Sequence, residues 1–200
     1  YNTTYVDPAA NVGAGTALLP GTILRGQTSI GKNCTIGPNS YLENARVGDG
    51  TKVNASQVYN SSIGYDTHVG PFAYIRPGSS VGNCVRVGDF VEIKNSAIGD
   101  GTKISHLTYV GDSDVGKNIN FGCGTVTVNY DRAKKYRTTI GDDAFIGCNT
   151  NLVAPVKVGE GAYTAAGSTI TDDIPAMALA IARARQTNKK DWAAKHKLKE

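Results

Sequence analysis

The sequence predicts an all-β fold, a parallel β-helix built from hexapeptide repeats, and three observations support this class. Aliphatic residues recur every six positions along most of the 200 residues. Glycine often follows the aliphatic residue, and a small or slim residue often stands four places after it. The composition agrees, because 24 glycines against only four Phe and one Trp is turn-rich and typical of β structure.

The six-residue period extends to about residue 172, and an internal repeat of this kind decides the architecture before any local signal does. The period slips by one residue at a few places and breaks once, after Phe121. Its members are Val6, Val12, Leu18, Leu24, Ile30, Ile36, Leu42, Val47, Val53, Val58, Ile63, Val69, Ile75, Val81, Val87, Ile93, Ile98, Ile104, Val110, Val115, Phe121, Ile140, Ile146, Leu152, Val158, Thr164 and Ile170. So many matches exclude a chance Gly-rich pattern.

Each hexapeptide is expected to form one short strand and one corner, so that three of them close a triangular coil of about 18 residues. The aliphatic side chain points into the prism, the small side chain also points inward, and glycine relieves the backbone near the corner. Coils stack at roughly 4.8 Å, and about nine of them fill a domain over residues 1–173. Residues 174–200 leave the repeat as a C-terminal arm, which packs across a neighbouring chain and ends in a short basic helix. Physics alone does not give the left hand, since parallel crossovers are overwhelmingly right-handed.

Composition and charge narrow the classes of function. A net charge of +4 suits anionic small molecules better than nucleic acid, and no apolar run approaches the roughly 20 residues of a membrane span. Four cysteines without a CxxC pair and three scattered histidines argue against a metal site. No secretory signal is visible, so a reducing cytoplasm with free thiols is expected. Because the chain begins at Tyr1 and its only methionine is Met177, we interpret it as a fragment without its N-terminal portion.

The period breaks between Phe121 and Ile140, and this break predicts an inserted loop over about residues 128–139. The insert is polar and basic. A loop that leaves a rigid scaffold is a usual place for binding residues, although a solvated charge run is an equal alternative.

Counting coils brings several polar residues together. Arg76 and Lys94 should lie one above the other, and stacked like charges are destabilising unless a bound anion such as phosphate neutralises them. Two side chains that splay into water are the alternative. The next coil is one residue short, which places Tyr109 above Glu92 and Glu92 above Tyr74.

At these residues the sequence resembles the acetyltransferase domain of a bifunctional family, the N-acetylglucosamine-1-phosphate uridyltransferases that are also glucosamine-1-phosphate acetyltransferases. The similarity covers nearly all of residues 60–192. Its most specific segments are His106-Leu107-Thr108-Tyr109 and Val128-Asn129-Tyr130-Asp131. The resemblance implies the left-handed form of the helix. It also implies acetyl transfer from acetyl-CoA to the amine of glucosamine 1-phosphate, for UDP-N-acetylglucosamine and cell-wall synthesis.

The same resemblance implies roles for individual residues. His106 is expected to be the general base, Glu92 to orient its imidazole, and Asn129 to lie near the reacting centre. The implied sugar-phosphate contacts are Arg76, Lys94, Tyr109 and Lys135, and the implied sugar contacts are Asn120, Asn129 and Tyr130. The implied acetyl-CoA contacts are Cys123, Cys148, Ala166, Arg183 and Lys189.

The resemblance further implies a homotrimer with its sites at subunit interfaces. It implies no metal for acetyl transfer, since magnesium belongs to the uridyltransferase half that this chain lacks. Cys123 and Cys148 depart from the family, which commonly has Ala and Ser there, and the hydroxyl hydrogen bond at position 148 would weaken. Two alternatives stay open. One is a hexapeptide acyltransferase for another amine or hydroxyl acceptor, and the other is a non-catalytic scaffold.

Overall fold

A computed structural model of the protein describes residues 3–196. Residues 1–2 and 197–200, the outer ends of the predicted domain and arm, lie outside the described residues. The described chain consists of short strands and one short helix. In order these are β1 (Tyr5–Val6), β2 (Asn11–Val12), β3 (Ala17–Leu18), β4 (Ile23–Arg25), β5 (Ser29–Ile30), β6 (Thr35–Ile36), β7 (Tyr41–Glu43), β8 (Arg46–Val47), β9 (Lys52–Val53), β10 (Gln57–Tyr59), β11 (Ser62–Ile63), β12 (His68–Val69), β13 (Tyr74–Ile75), β14 (Ser80–Val81), β15 (Arg86–Asp89), β16 (Glu92–Lys94), β17 (Ala97–Ile98), β18 (Lys103–His106), β19 (Tyr109–Gly111), β20 (Ser113–Val115), β21 (Asn120–Phe121), β22 (Val126–Val128), β23 (Thr138–Ile140), β24 (Phe145–Ile146), β25 (Asn151–Val153), β26 (Val156–Val158), β27 (Tyr163–Thr164), β28 (Thr169–Ile170), β29 (Leu179–Ala180) and α1 (Trp192–Lys195).

The strands form the three faces of a prism. Face 1 contains β1 and every third strand to β28, face 2 contains β2 and every third strand to β26, and face 3 contains β3 and every third strand to β27, followed by β29. All pairings between these strands are parallel. The result is a left-handed β-solenoid of about 10 turns, which confirms the predicted class and adds about one coil to the nine expected.

The aliphatic ladder forms the core, because the second residue of nearly every strand points into the prism. Side chains from Leu24 to Ile170 along this ladder are buried. Val6 and Val12 are exceptions, with exposed fractions of 40% and 39%. They belong to the first coil, and no coil packs beneath it in the described part of the chain.

The small residues also lie inside, and their hydroxyl groups join one coil to the next. Thr22 Oγ1 donates to the backbone carbonyl of Ile36 at 3.0 Å, and Thr67 Oγ1 donates to that of Gly82 at 2.8 Å. Both threonines are fully buried. Because a buried hydroxyl without a partner is costly, these bonds explain why Thr and Ser are tolerated at the core.

The glycine that follows the aliphatic residue serves close approach rather than relief of the corner. A Cβ on Gly48 would lie 2.6 Å from the backbone nitrogen of Tyr65, in the next coil. The left-handed corner positions are instead mostly filled by Asn, Asp or other glycines. Glycine is therefore needed at this place of the repeat because neighbouring coils lie close together, and not to relieve the corner as was expected from the sequence.

The repeat continues beyond the predicted boundary at residue 173. β29 pairs with β27, and the backbone nitrogen of Thr169 donates to the carbonyl of Ala182 at 3.1 Å. The coil therefore extends to about residue 182, and only the later residues form a free arm with the short helix α1. No helix within residues 3–196 is long and apolar enough to cross a membrane.

Candidate active site

The corner between face 3 and face 1 gathers several of the predicted residues. β18 ends there at His106, and β19 begins beyond it at Tyr109. Strand register places Tyr109 over Glu92 and Glu92 over Tyr74. The stack predicted by counting residues is therefore confirmed. The same register places His106 directly over Asp89.

His106 is held by Asp89, and this corrects the prediction for Glu92. Nδ1 of His106 lies 2.7 Å from Oδ1 of Asp89, whereas Oε1 of Glu92 lies 2.7 Å from the guanidinium of Arg76. The hydrogen bond from His106 lowers the pKa of Asp89 below its ordinary value of 3.8. Glu92 stands beyond the corner on face 1, where Arg76 is its neighbour, and Asp89 is the carboxylate one coil below the imidazole. Asp89 was missed, although it precedes His106 by 17 residues, the spacing that also relates Glu92 to Tyr109.

Three cations gather on face 1 beside this corner. Arg76 and Lys94 occupy adjacent coils, since Ile75 pairs with Ile93 in register. Lys135 approaches Lys94 from the inserted loop, and its nearby ammonium group, together with desolvation, lowers the pKa of Lys94 below its ordinary value. We call Arg76, Lys94 and Lys135 the cation cluster. Glu92 pairs with Arg76 and Asp112 lies near Lys94, so three positive charges face two negative ones and the cluster keeps a positive charge that favours an anionic ligand.

The inserted loop spans residues 129–137, between β22 and β23, and is fixed by its own contacts. Arg137 binds Asp114 with two hydrogen bonds, of 2.9 and 2.5 Å, and also donates to the carbonyl of Asn95 at 3.2 Å. Asp131 accepts hydrogen bonds from the backbone nitrogens of residues 133 and 134. These contacts hold the base of the loop against face 2 and set the position of Lys135.

The three predicted sugar contacts, Asn120, Asn129 and Tyr130, differ in their exposure and in their hydrogen bonds. Asn129 is nearly buried and its Nδ2 donates to Asp112 and, at 3.4 Å, to the hydroxyl of Tyr109. Tyr130 is exposed, and its hydroxyl donates back to the carbonyl of Arg132 at 2.6 Å. Asn120 lies on face 3. Among residues 3–196, neither Tyr130 nor Asn120 makes a hydrogen bond to the cation cluster.

The predicted acetyl-CoA residues form a line up the corner at the end of face 3. The register of β18, β21, β24 and β27 places one residue of each coil above the last. Backbone hydrogen bonds of 2.8 Å to the carbonyls of residues 123 and 148 join these coils. From bottom to top the line contains Asp89, His106, Cys123, Cys148 and Ala166. We call it the corner line.

Two further predicted residues lie near the upper end of the chain. Arg183 passes beside Gly167, where a Cβ would lie 3.8 Å from the Arg183 Cδ, and thus ends the corner line next to Ala166. Lys189 is exposed in the arm, and its side chain makes no hydrogen bond to the corner line in the described part of the chain. All four cysteines are unpaired thiols. No group of three or more His, Cys, Asp or Glu side chains within residues 3–196 is arranged to hold a metal ion.

Comparisons with known proteins show what the chain is similar to. The family model of bacterial transferase hexapeptide (six repeats) matches residues 9–44 and 137–172. The bifunctional protein GlmU of Acetivibrio thermocellus is 59% identical over 194 residues, which are 97% of this chain and 42% of that protein. The bifunctional protein GlmU of Clostridium kluyveri is 55% identical over 199 residues, which are 100% of this chain and 44% of that protein. The chain therefore spans less than half the length of the curated relatives that it matches.

Solved structures share the fold at much lower identity. The UDP-N-acetylglucosamine acyltransferases of Arabidopsis and Campylobacter jejuni align with TM-scores of 0.60 and 0.58 and with 16% and 17% identity. Each alignment covers 90% of this chain and 69% of the other. The coils, their repeat and these likenesses define the class of fold, a β-helix of hexapeptide repeats. The chain matches the bacterial transferase hexapeptide model over residues 9–44 and 137–172, and over nearly its whole length it is similar to bifunctional GlmU proteins.

Proposed function

We propose that this chain transfers acetyl from acetyl-CoA to the amine of glucosamine 1-phosphate and releases N-acetylglucosamine 1-phosphate and CoA. The observation that carries the proposal is the position of His106. It belongs to the corner line, the surface on which we place the acyl donor, and it borders the face that holds the cation cluster. The similarity to GlmU proteins at 53–59% identity supports the same substrates.

The cation cluster would bind the sugar phosphate, because Arg offers a planar fork and Lys a point charge to phosphate oxygens. Glu92 keeps Arg76 in place by their 2.7 Å ion pair. Tyr109 closes the cluster next to Asn129. Holding the sugar by its phosphate places the amine for attack, and such positioning supplies a large part of the rate of a two-substrate reaction.

His106 would act as the general base. Asp89 accepts a hydrogen bond from Nδ1–H, so the proton stays on Nδ1 and Nε2 is the nitrogen with a free lone pair. As the amine nitrogen bonds to the thioester carbonyl carbon, Nε2 takes a proton from that nitrogen. The carbon–sulfur bond then breaks, and the imidazolium returns the proton to the leaving CoA thiolate. Asp89 stabilises the imidazolium between these two steps.

Acetyl-CoA would lie along the corner line, with Cys123, Cys148 and Ala166 against its arm and Arg183 and Lys189 toward its phosphates. Outward side chains on two adjacent faces of a convex prism diverge. A second chain that brings its own cation cluster to the corner line would complete the site. We therefore propose a homotrimer with sites at its interfaces, working in the cytoplasm, where four free thiols stay reduced.

One assay tests the proposal. Release of CoA from acetyl-CoA is measured with glucosamine 1-phosphate, glucosamine, glucosamine 6-phosphate and serine as acceptors. Only glucosamine 1-phosphate is expected to react rapidly, because the cation cluster needs the phosphate at the anomeric position. Faster release with serine or another acceptor would replace this function by acyl transfer to that acceptor, and no release with any of them would favour a scaffold.

A further inference from the structure

Asp112 is a nearly buried carboxylate next to the site that the proposed reaction does not use. It follows β19 at the corner between faces 1 and 2, with a backbone φ of 49°, and only 4% of it is exposed. A buried carboxylate is costly unless hydrogen-bond donors satisfy it, so its presence needs a reason.

Both oxygens of Asp112 accept from side-chain amides of adjacent coils. Nδ2 of Asn95, one coil below, donates to Oδ1 at 2.5 Å, and Nδ2 of Asn129, one coil above, donates to Oδ2. Because an ionised carboxylate can only accept, each amide must turn its NH₂ group toward it. Asp112 thereby decides which way the amide of Asn129 points.

This orientation leaves the carbonyl oxygen of Asn129 for a ligand. Its Nδ2 donates to Asp112 and Tyr109, whereas Oδ1 accepts no hydrogen bond from any residue in the described part of the chain. Asn129 itself contacts Tyr109 and begins the loop that carries Lys135. A group that binds there must therefore be a donor, such as an amine N–H.

We propose that Asp112 is a positioning residue that turns Asn129 so that its Oδ1 accepts a hydrogen bond from the amine of the amino sugar. This inference rests on the proposed function and adds to it a contact that requires a hydrogen-bond donor on the carbon that carries the amine. In Asp112→Asn the new amide carries its own NH₂ group. Only one acceptor oxygen is then left for the two NH₂ groups of Asn95 and Asn129, so the amide of Asn129 is no longer held in one orientation and its Oδ1 faces the substrate only part of the time.

The experiment is calorimetric binding of glucosamine 1-phosphate and of 2-deoxyglucose 1-phosphate, which has no donor group at that carbon, to the full chain. In Asp112→Asn the preference for glucosamine 1-phosphate is expected to fall up to about tenfold, the scale of one hydrogen bond, while 2-deoxyglucose 1-phosphate binds as before. The matched control is Asn95→Ala, which removes the other partner of Asp112 and should leave the preference within about twofold.

A charge-swapped double variant, Asp112→Asn with Asn129→Asp, gives a second readout. There the amide at 112 donates to the carboxylate at 129, which still presents an acceptor oxygen, so most of the preference should return. An unchanged preference in folded Asp112→Asn, or an equal loss in Asn95→Ala, overturns the proposal. If Asp112→Asn does not fold, the double variant decides, and absence of the preference there overturns it as well. Wild-type protein that prefers glucosamine 1-phosphate but transfers no acetyl would instead contradict only the proposed reaction.

Discussion

At the scale of single residues, the imidazole of His106 is held at one nitrogen and open at the other. The Nδ1 contact with Asp89 selects the tautomer with an unprotonated Nε2 and fixes the plane of the ring. The side chain is 60% exposed, so a substrate can reach it. A base that is oriented but accessible is what proton removal from an incoming amine requires.

The first prediction separates the base from the phosphate contacts. His106→Ala should lower kcat by about 10²–10⁴, the usual scale for loss of a general base, and change glucosamine 1-phosphate binding little. Arg76→Ala should chiefly raise KM, because it removes a contact made before and during the reaction. Steady-state kinetics with varied sugar phosphate check both variants. Near-normal kcat with lost affinity in His106→Ala would make the histidine a binding residue.

The second prediction compares the two carboxylates. Asp89→Asn should lower kcat by about tenfold or more, because an amide neither fixes the imidazole nor stabilises its cation as a carboxylate does. Glu92→Gln should mainly raise KM, since Glu92 holds Arg76 rather than His106. The same kinetic assay applies to both. If Glu92→Gln lost more kcat than Asp89→Asn, the geometry of the single chain would not represent the working site.

Counting residues was enough to predict which side chains stack, but not which of them bond. The pairs Arg76 with Lys94 and Glu92 with Tyr109 follow from the period. Whether Glu92 turns to His106 or to Arg76 depends on side-chain direction at the corner, which the period does not contain. Asp112 was missed because polar residues with positive φ fill most corners, and only its burial distinguishes it.

At the scale of elements, the inserted loop is the one long departure from the repeat, and its anchor lies at its C-terminal end. Its existence could be predicted from the break in the ladder. Its conformation could not, because Arg137 reaches Asp114, 23 residues earlier, across a stretch where the register is interrupted. The boundary of the arm was misjudged for a related reason. β29 continues the stack with Leu179 and Ala180, whose spacing no longer matches the hexad.

The third prediction concerns this anchor. Arg137→Ala should free the loop, displace Lys135 and raise KM for the sugar phosphate, whereas Arg132→Ala, in the same loop but without an ion pair, should not. Hydrogen exchange over residues 129–137 measures the release directly. Wild-type exchange that equals that of Arg137→Ala at neutral pH would contradict the role of the ion pair.

The same ion pair gives a pH dependence. Arg137 lowers the pKa of Asp114 below 3.8, so the stabilisation is complete above that pH and is lost as the pH falls through the lower folded value. Exchange protection of the loop should therefore persist at pH 4 and disappear below it. Arg137→Ala should show no such acid step.

At the scale of the whole molecule, the solenoid spaces its residues regularly along its axis. Each coil adds about 4.8 Å along the axis, so residues one coil apart in sequence fall into straight lines on its surface. The corner line, from Asp89 to Ala166, shows how sites can be recognised from periodicity once the register is known. The cation cluster belongs to the neighbouring face, and the two surfaces diverge. A site that needs both is best completed by a second chain.

The last prediction tests this completion. Arg76→Ala damages the cation cluster and Arg183→Ala damages the upper end of the corner line, and each variant alone should be nearly inactive at substrate concentrations far below its raised KM. If a site combines the cluster of one chain with the corner line of another, chains refolded together at equal amounts should recover about a quarter of the sites. The reason is that half of the chains carry an intact cluster and half carry an intact corner line, and a working site needs one of each.

Light scattering should give three times the 21.0 kDa mass of one chain. Variants mixed after folding, without subunit exchange, serve as the control. If co-refolded trimers recover no activity, both surfaces of each site lie on a single chain. If active protein has the mass of a monomer, the proposed site between subunits is wrong.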